Sequence, residues 1–239
     1  MVVNFVDVSA SSLYAAQDVL ALRRVLAMVH AESCPSTYNF HMHTACSDGQ
    51  LQPETLMQQA IAIGLKGMAI TDHHSTDGYR RAHRWLESYR EDAAWRGDRP
   101  PALHLWTGIE ITSRLLETEV HILGYGFDPD HDSLRLYMRR EAPKGMDALA
   151  EQVIACIQAA GGVAVLAHPA RYRRSAEELI IAAADLGIDG VETYYAYNNP
   201  NPWVPSPRQT EEIQRLSSTL GLLNTCGTDT HGTNLLQRL

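Results

Sequence analysis

Cysteine is scarce in this chain. Its four copies, Cys34, Cys46, Cys156 and Cys226, form no C-x-x-C pair, which argues against a disulfide framework or a zinc ribbon. No apolar run approaches the roughly 18 residues that a membrane span needs. The N-terminus has no basic stretch followed by an apolar core, so no secretory signal is expected and the cytoplasm is the expected location. Positive charge is also short: 20 Lys and Arg face 28 Asp and Glu, a formal net charge of −8. A general nucleic-acid coat protein depends on many cationic contacts to phosphate, so stable duplex binding is not expected. A small phosphorylated substrate held by a local basic pocket stays compatible with this balance. No G-x-G-x-x-G turn follows the first predicted strand, and this takes away the signature of a dinucleotide-binding doubly wound sheet.

What is present is ordinary in bulk and unusual in detail. With 239 residues, 45% hydrophobic and 20% charged, the chain can bury a large core as one big domain or two small ones. Residues 11–31 carry Leu13, Val19, Leu20, Leu22, Val25, Leu26 and Val29 at near-helical spacing, predicting an amphipathic helix that ends near Pro35. A repeating unit follows, in which a short apolar strand leads into polar residues and then usually into a helix. Strands are predicted at 38–43, 67–71, 103–111, 119–125, 163–167, 190–193 and 222–226. Helices are predicted at 53–63, 77–95, 144–160, 176–186 and 207–220, several opened by Pro or closed by Gly. Alternation of this kind predicts a parallel sheet with helices outside. Seven strands with polar residues at their C-terminal ends favour a closed α/β barrel whose C-terminal rim carries the chemistry. The run 198–205, rich in Pro and Asn, reads as a long rim loop.

The polar residues at those strand ends form one set. Strand one supplies His41, His43 and Asp48, strand two Asp72 and His73, strand three Glu110, strand four His121, strand five His168, and strand seven Asp229 and His231. His41 and His43 alternate with Met42, so in a strand they face the same way. Asp229 and His231 repeat that spacing. Any one of these side chains could be a core histidine bonded to a carbonyl, a surface acid or a turn cap. Buried together, the carboxylates repel one another and every charge loses hydration unless cations join them. The mixed nitrogen and oxygen donors suit Zn, Mn or Fe(II) better than Ca or Mg. So many candidate ligands exceed the needs of one ion and match two or three.

The runs His41-x-His43-Thr44-x-x-Ser47-Asp48-Gly49, Ile70-Thr71-Asp72-His73, Gly108-Ile109-Glu110, His121-Ile122-Leu123-Gly124, Ala167-His168-Pro169 and Gly227-Thr228-Asp229-Thr230-His231 resemble the PHP family, the polymerase and histidinol phosphatase phosphoesterases. The six motifs keep the family's order across residues 38–231. The resemblance implies a distorted seven-stranded β/α barrel over residues 37–239, with residues 1–36 as an N-terminal helical extension packed on the barrel or at a subunit contact. It implies two or three divalent metal ions (Mn, Fe or Zn) held by His41, His43, Asp48, His73, Glu110, His121, His168, Asp229 and His231. Asp72 is then expected to orient a ligand. The implied chemistry is phosphate-ester hydrolysis by a metal-bridged hydroxide.

Ser47 to Leu56, His121 to Tyr125 and Ala167 to Tyr172 are most similar to the branch acting on nucleoside 3′,5′-bisphosphates and on short RNA or DNA 5′ ends. That likeness implies that Arg171 grips a substrate phosphate, as a planar guanidinium can. His74, where the branch tends to have an acid, is a candidate to contact substrate or to protonate the leaving group. The gap between His121 and His168 is shorter than the branch usually has. The few residues after His231 imply that the closing helix is short or absent. A histidinol-phosphate-type phosphatase and a metal-loaded module without turnover are the alternatives.

Overall fold

The computed structural model describes residues 17–239. Among them, the first helix is α1 (Val19–Leu26), opened by Asp18, whose side chain accepts from the Ala21 N–H. The part of the predicted 11–31 helix before residue 17 lies outside the described residues. Leu22 and Leu26 of α1 are fully buried against Phe40, Trp106 and Tyr125.

A three-stranded parallel sheet follows, ordered β1 (Tyr38–Asn39), β2 (Gly67–Ala69) and β3 (His104–Trp106). Its connections are α2 (Pro53–Ile63) and α3 (Asp77–Arg96). A five-stranded sheet follows in the order β4 (Gly108–Leu115), β5 (Thr118–Tyr125), β6 (Val163–Leu166), β7 (Gly190–Tyr194) and β8 (Leu223–Cys226). Helix α4 (Ala150–Ala159) precedes β6, α5 (Ala176–Asp185) precedes β7, and α6 (Pro207–Leu220) precedes β8. No helix among the described residues is long and apolar enough to cross a membrane.

Three expectations need correction. The predicted third strand is two strands, broken at Thr107, so eight strands in two sheets replace one seven-stranded barrel ladder. The five-stranded sheet is mixed: β4 pairs antiparallel with β5, and β5 antiparallel with β6. The cause is the turn between β4 and β5, where Leu116 and Glu117 both take positive φ (49° and 58°). Two such residues make a tight hairpin, and a two-residue link leaves no room for the helix that parallel strands require. The helix predicted over 144–160 divides into a 3₁₀ turn at Gly145–Ala148 and α4.

Two isolated parallel bridges bring the edges of the sheets together. Met42 pairs with Thr230, and His73 with Glu110. Around the first, the Asp229 N–H donates to His41 O (2.8 Å) and the His43 N–H donates to Thr230 O (3.0 Å). Around the second, the His74 N–H donates to Glu110 O and the Glu110 N–H to Asp72 O. Met42 is buried in an apolar cluster with Leu56, Met68, Ile70 and Leu235. Its burial turns the flanking His41 and His43 to the opposite face, because neighbouring strand residues alternate.

The short segment after His231 is docked. The His231 and Gly232 N–H groups both donate to Arg238 O, the Thr230 hydroxyl bonds Leu235 O and Gln237 O, and Gln59 accepts from the Leu235 N–H. Leu235 itself is fully buried. Through these contacts, a segment of bends and turns fixes this side of the fold.

Candidate metal centre

The Met42–Thr230 bridge explains the spacing of the two motifs. Pairing the middle residues sets His41-x-His43 opposite Asp229-x-His231, with all four side chains on one side. The approach is close: a Cβ on Gly227 would lie 2.2 Å from the His41 Cβ, so only glycine fits there. The second bridge places His73 beside Glu110. Tyr172 ties the loop after β6 to β5 by accepting the His121 N–H (2.8 Å).

Glu110 lies at the middle, nearly fully buried. Its Oε2 is 3.0 Å from His43 Nε2, 3.1 Å from His41 Nε2 and 3.6 Å from His73 Nε2. Its Oε1 is 2.8 Å from His121 Nδ1 and 3.4 Å from His168 Nε2. The Oδ1 of Asp229 lies 3.3 Å from His43 Nε2 and 3.4 Å from both His41 Nε2 and His231 Nδ1. Asp48 reaches His43 (3.3 Å) and His231 (3.2 Å). All nine residues expected as ligands therefore meet in one place. Side-chain exposure grades across them: His41 and His43 are closed off, whereas His231 is 18%, His73 23%, His121 26% and Asp48 53% exposed. The mouth of the site lies on the Asp48 side.

Four subsets have donor atoms all within 4.8 Å of one another: His43, Asp48, His73 and His231; His41, His43, Glu110 and Asp229; His41, His168 and Glu192; and His73, Glu110 and His121. The residues fit divalent ions on a further ground. The Nδ1 atoms of His73 and of His168 are buried with no hydrogen-bond partner among the described residues. Each such buried atom costs about 1–3 kcal/mol, and native proteins retain few. A cation among them removes that penalty.

Protons partly substitute for cations in the metal-free form. Burial opposes a charge on His41, yet Glu192, Glu110 and Asp229 outweigh it and push its pKa up to about 10. His43, despite its burial, is likewise raised by Asp229, Asp48 and Glu110. Burial also works against charge on Glu110 and Asp229, but nearby imidazoles hold both well below the usual carboxylate range. His73 goes the other way, pushed down to about 4 by burial and by the charges of His43 and His121.

Three other residues expected at the site are placed as follows. Asp72 is fully buried and accepts from the Thr44 N–H, the Thr44 hydroxyl and the Ser47 hydroxyl, each at 2.7 Å. It thus braces the turn carrying Asp48. Arg171 donates from Nη1 to Asp229 Oδ2 (2.9 Å) and to the Tyr195 hydroxyl (3.3 Å). His74 is buried, with its Nε2 3.0 Å from the Thr112 hydroxyl, and burial pushes its pKa down to about 4. A group that is neutral at pH 7 on this account is a poor proton donor to a leaving oxygen.

Sequence reading missed three participants. Tyr195 donates to Asp229 Oδ2 (2.6 Å), and the Arg238 Nε–H donates to the same oxygen (2.8 Å). Glu192 is fully buried beside His41. The signal for Glu192 was an acid in the middle of a short strand. Arg238 had none, because only the folded-back tail brings it there.

The PHP domain family model matches residues 39–187, and this chain belongs to that family. It is 33% identical over 107 residues to the 5′-3′ exoribonuclease Rnm of Salmonella typhimurium, covering 45% of this chain and 33% of that protein. It is 30% identical over 123 residues to a 3′,5′-nucleoside bisphosphate phosphatase of Chromobacterium violaceum, covering 52% of this chain and 39% of that one. The matched segments thus span only a third to two fifths of these relatives. A solved structure described as an amidohydrolase from Chromobacterium violaceum shares the fold, with a TM-score of 0.63 and 22% identity over 82% of this chain and 88% of that one.

Proposed function

We propose that this chain is a metal-dependent phosphoesterase that hydrolyses phosphomonoesters of nucleotides, namely nucleoside 3′,5′-bisphosphates or short 5′-phosphorylated oligonucleotides. The observation that carries this reading is the sharing of ligands between subsets: Glu110 turns one oxygen to His41, His43 and His73 and the other to His121 and His168. A carboxylate so placed suits adjacent ions, and two-metal centres of this kind serve in-line displacement at phosphorus. The residues that would hold two or three ions are His41, His43, Asp48, His73, Glu110, His121, His168, Asp229 and His231. The mixed donors favour Mn, Fe or Zn. Such ions, when bound, polarise phosphoryl oxygens and acidify water.

The chain's own residues do the rest. Glu110, Asp229 and the buried imidazoles fix the centre from within, and the substrate enters by the exposed Asp48 side. Arg171 commits only Nη1 to protein among the described residues, and its remaining N–H groups are left to bond phosphate oxygens. Asp229 holds that guanidinium at the rim. His74 lines the wall beside Thr112, placed as a candidate to contact the substrate. The names of the two curated relatives support nucleotide substrates, and such substrates fit the cytoplasm.

The test is phosphate release by Mn-reconstituted protein from 3′-phosphoadenosine 5′-phosphate, from a short 5′-phosphorylated RNA and from histidinol phosphate, with Asp229→Ala as control. Turnover of either nucleotide, lost in the variant, is expected. Turnover of histidinol phosphate alone overturns the substrate class, and silence with metal bound overturns the activity.

A further inference from the structure

The resemblance to known phosphoesterases assigns no role to Glu192. It stands in the middle of β7, fully buried, with one oxygen on each of two candidate ligand residues. The Oε1 lies 2.9 Å from His41 Nδ1, and the Oε2 accepts the backbone N–H of His168 at 2.8 Å. His41 thereby presents its other nitrogen, Nε2, to Glu110 and Asp229. His168 takes a strained backbone conformation, φ 28°, and its ring stacks on that of His41 at 5.5 Å. A single carboxylate therefore joins the strand end of His41, the turn of His168 and β7.

We infer that Glu192 is a positioning residue that holds His41 in the Nδ1–H tautomer, with Nε2 free to ligate, while pinning the backbone of His168 against it. The inference rests on the metal-centre reading above. Metal-ligating imidazoles commonly donate their second N–H to a carboxylate, which fixes tautomer and ring plane and strengthens the ligand. A buried carboxylate in turn needs donors for its lone pairs, and His41 and His168 supply one to each oxygen. The rival is that Glu192 itself ligates an ion with His41 and His168, the three forming a compact set. That arrangement takes Nδ1 of His41 for the ion and breaks a formed hydrogen bond. Its three donors are also completely enclosed, so an ion there has no open position for substrate.

The experiment compares wild type, Glu192→Ala and Glu192→Gln. It uses competitive Zn titration, bound-metal counting by mass spectrometry and ¹⁵N NMR of histidine-labelled, Zn-loaded protein, with the His41 signal assigned through His41→Gln. The expected wild-type spectrum gives His41 a protonated Nδ1 and a metal-shifted Nε2. In Glu192→Ala the ion count stays the same, affinity falls about 10- to 100-fold, and the Nδ1–H signature of His41 is lost or broadened. Glu192→Gln keeps an acceptor for His41 and recovers most of the affinity and the signature. This variant decides the matter where Glu192→Ala does not fold. Loss of one whole ion in Glu192→Gln makes Glu192 a ligand and overturns the inference. An unchanged His41 signature and affinity in Glu192→Ala overturns it as well. Wild-type protein that holds no ion at all sinks the metal-centre reading, and the role of Glu192 with it.

Discussion

Arg238 donates its Nε–H to Oδ2 of Asp229 across 2.8 Å. The same oxygen receives Tyr195 and Arg171, which leaves Oδ1 as the atom facing His41, His43 and His231. Three donors on one oxygen fix the carboxylate plane. Removing the Arg238 donor should loosen it without emptying the site. Arg238→Ala is expected to weaken metal binding about 10-fold or somewhat more and to lower kcat with it, while Arg238→Lys restores part of both. Metal titration alongside steady-state phosphate release checks this. Wild-type metal affinity in Arg238→Ala would sink the orienting role.

Glu110 is the shared acid of the centre, so its loss cannot be local. Glu110→Gln removes one negative charge from a buried group surrounded by five imidazoles. The expected result is the loss of at least one ion per chain by mass spectrometry and a fall in kcat of at least about 10²–10³, the scale of losing one preorganised electrostatic contact. Retention of the full ion count with modest loss of activity would mean that Glu110 does not bridge.

Protonation makes the metal-free protein sensitive to base. The raised pKa of His41, about 10, and the raised pKa of His43 contribute stability that is complete below the ordinary histidine value near 6.5 and is lost as pH rises through the raised values. The lowered values of His73 and His74, about 4 each, act oppositely: their contribution is complete above 6.5 and is lost as pH falls towards 4. Chelated protein should therefore be most stable near neutrality. Between pH 7 and 9 its Tm is expected to drop by roughly 3 °C per pH unit for each raised group. Metal loading replaces those protons with cations and releases them to solvent, so the loaded protein should lose this alkaline slope. Scanning calorimetry at several pH values, with and without chelator, reads both. A chelated protein with flat Tm across that range contradicts the placeholder protons.

Much of this site is legible in the sequence because strand alternation is rigid. His41-x-His43 and Asp229-x-His231 meet across the Met42–Thr230 bridge, and alternation alone aims both pairs the same way. Helices α2 and α6 run between the same residues in sequence and structure because Pro at the first turn and Gly after the last fix their ends. The hairpin β4–β5 was harder to read. Its turn residues, Leu116 and Glu117, are not the Asn or Gly that usually accept positive φ, so the tight turn gives no compositional warning. Glu192 and Arg238 act through contacts 151 and 9 residues away in sequence, and neither stands in a motif. Single residues placed by tertiary packing leave no periodic trace.

Gly78 and Asp72 offer the most selective perturbation. A Cβ at Gly78 would fall 1.9 Å from Asp72 Oδ2 and 2.7 Å from the Thr44 hydroxyl. Those two atoms are bonded to each other and brace the turn that carries Asp48. Gly78→Ala thus strikes the bracing contact while touching no candidate ligand. Overpacking of this kind costs about 1–3 kcal/mol, and the turn is the part free to yield, because Asp48 is exposed and the bridged strands are not. The expected outcome is a folded protein with a modestly lower Tm. On the proposed reading, an ion at His43, Asp48, His73 and His231 should bind more weakly, while one at His41, His43, Glu110 and Asp229 stays tight. Two-step metal titration separates them. Equal weakening of every ion would place the strain in the shared core of the centre and refute the assignment of Asp72 to the Asp48 turn.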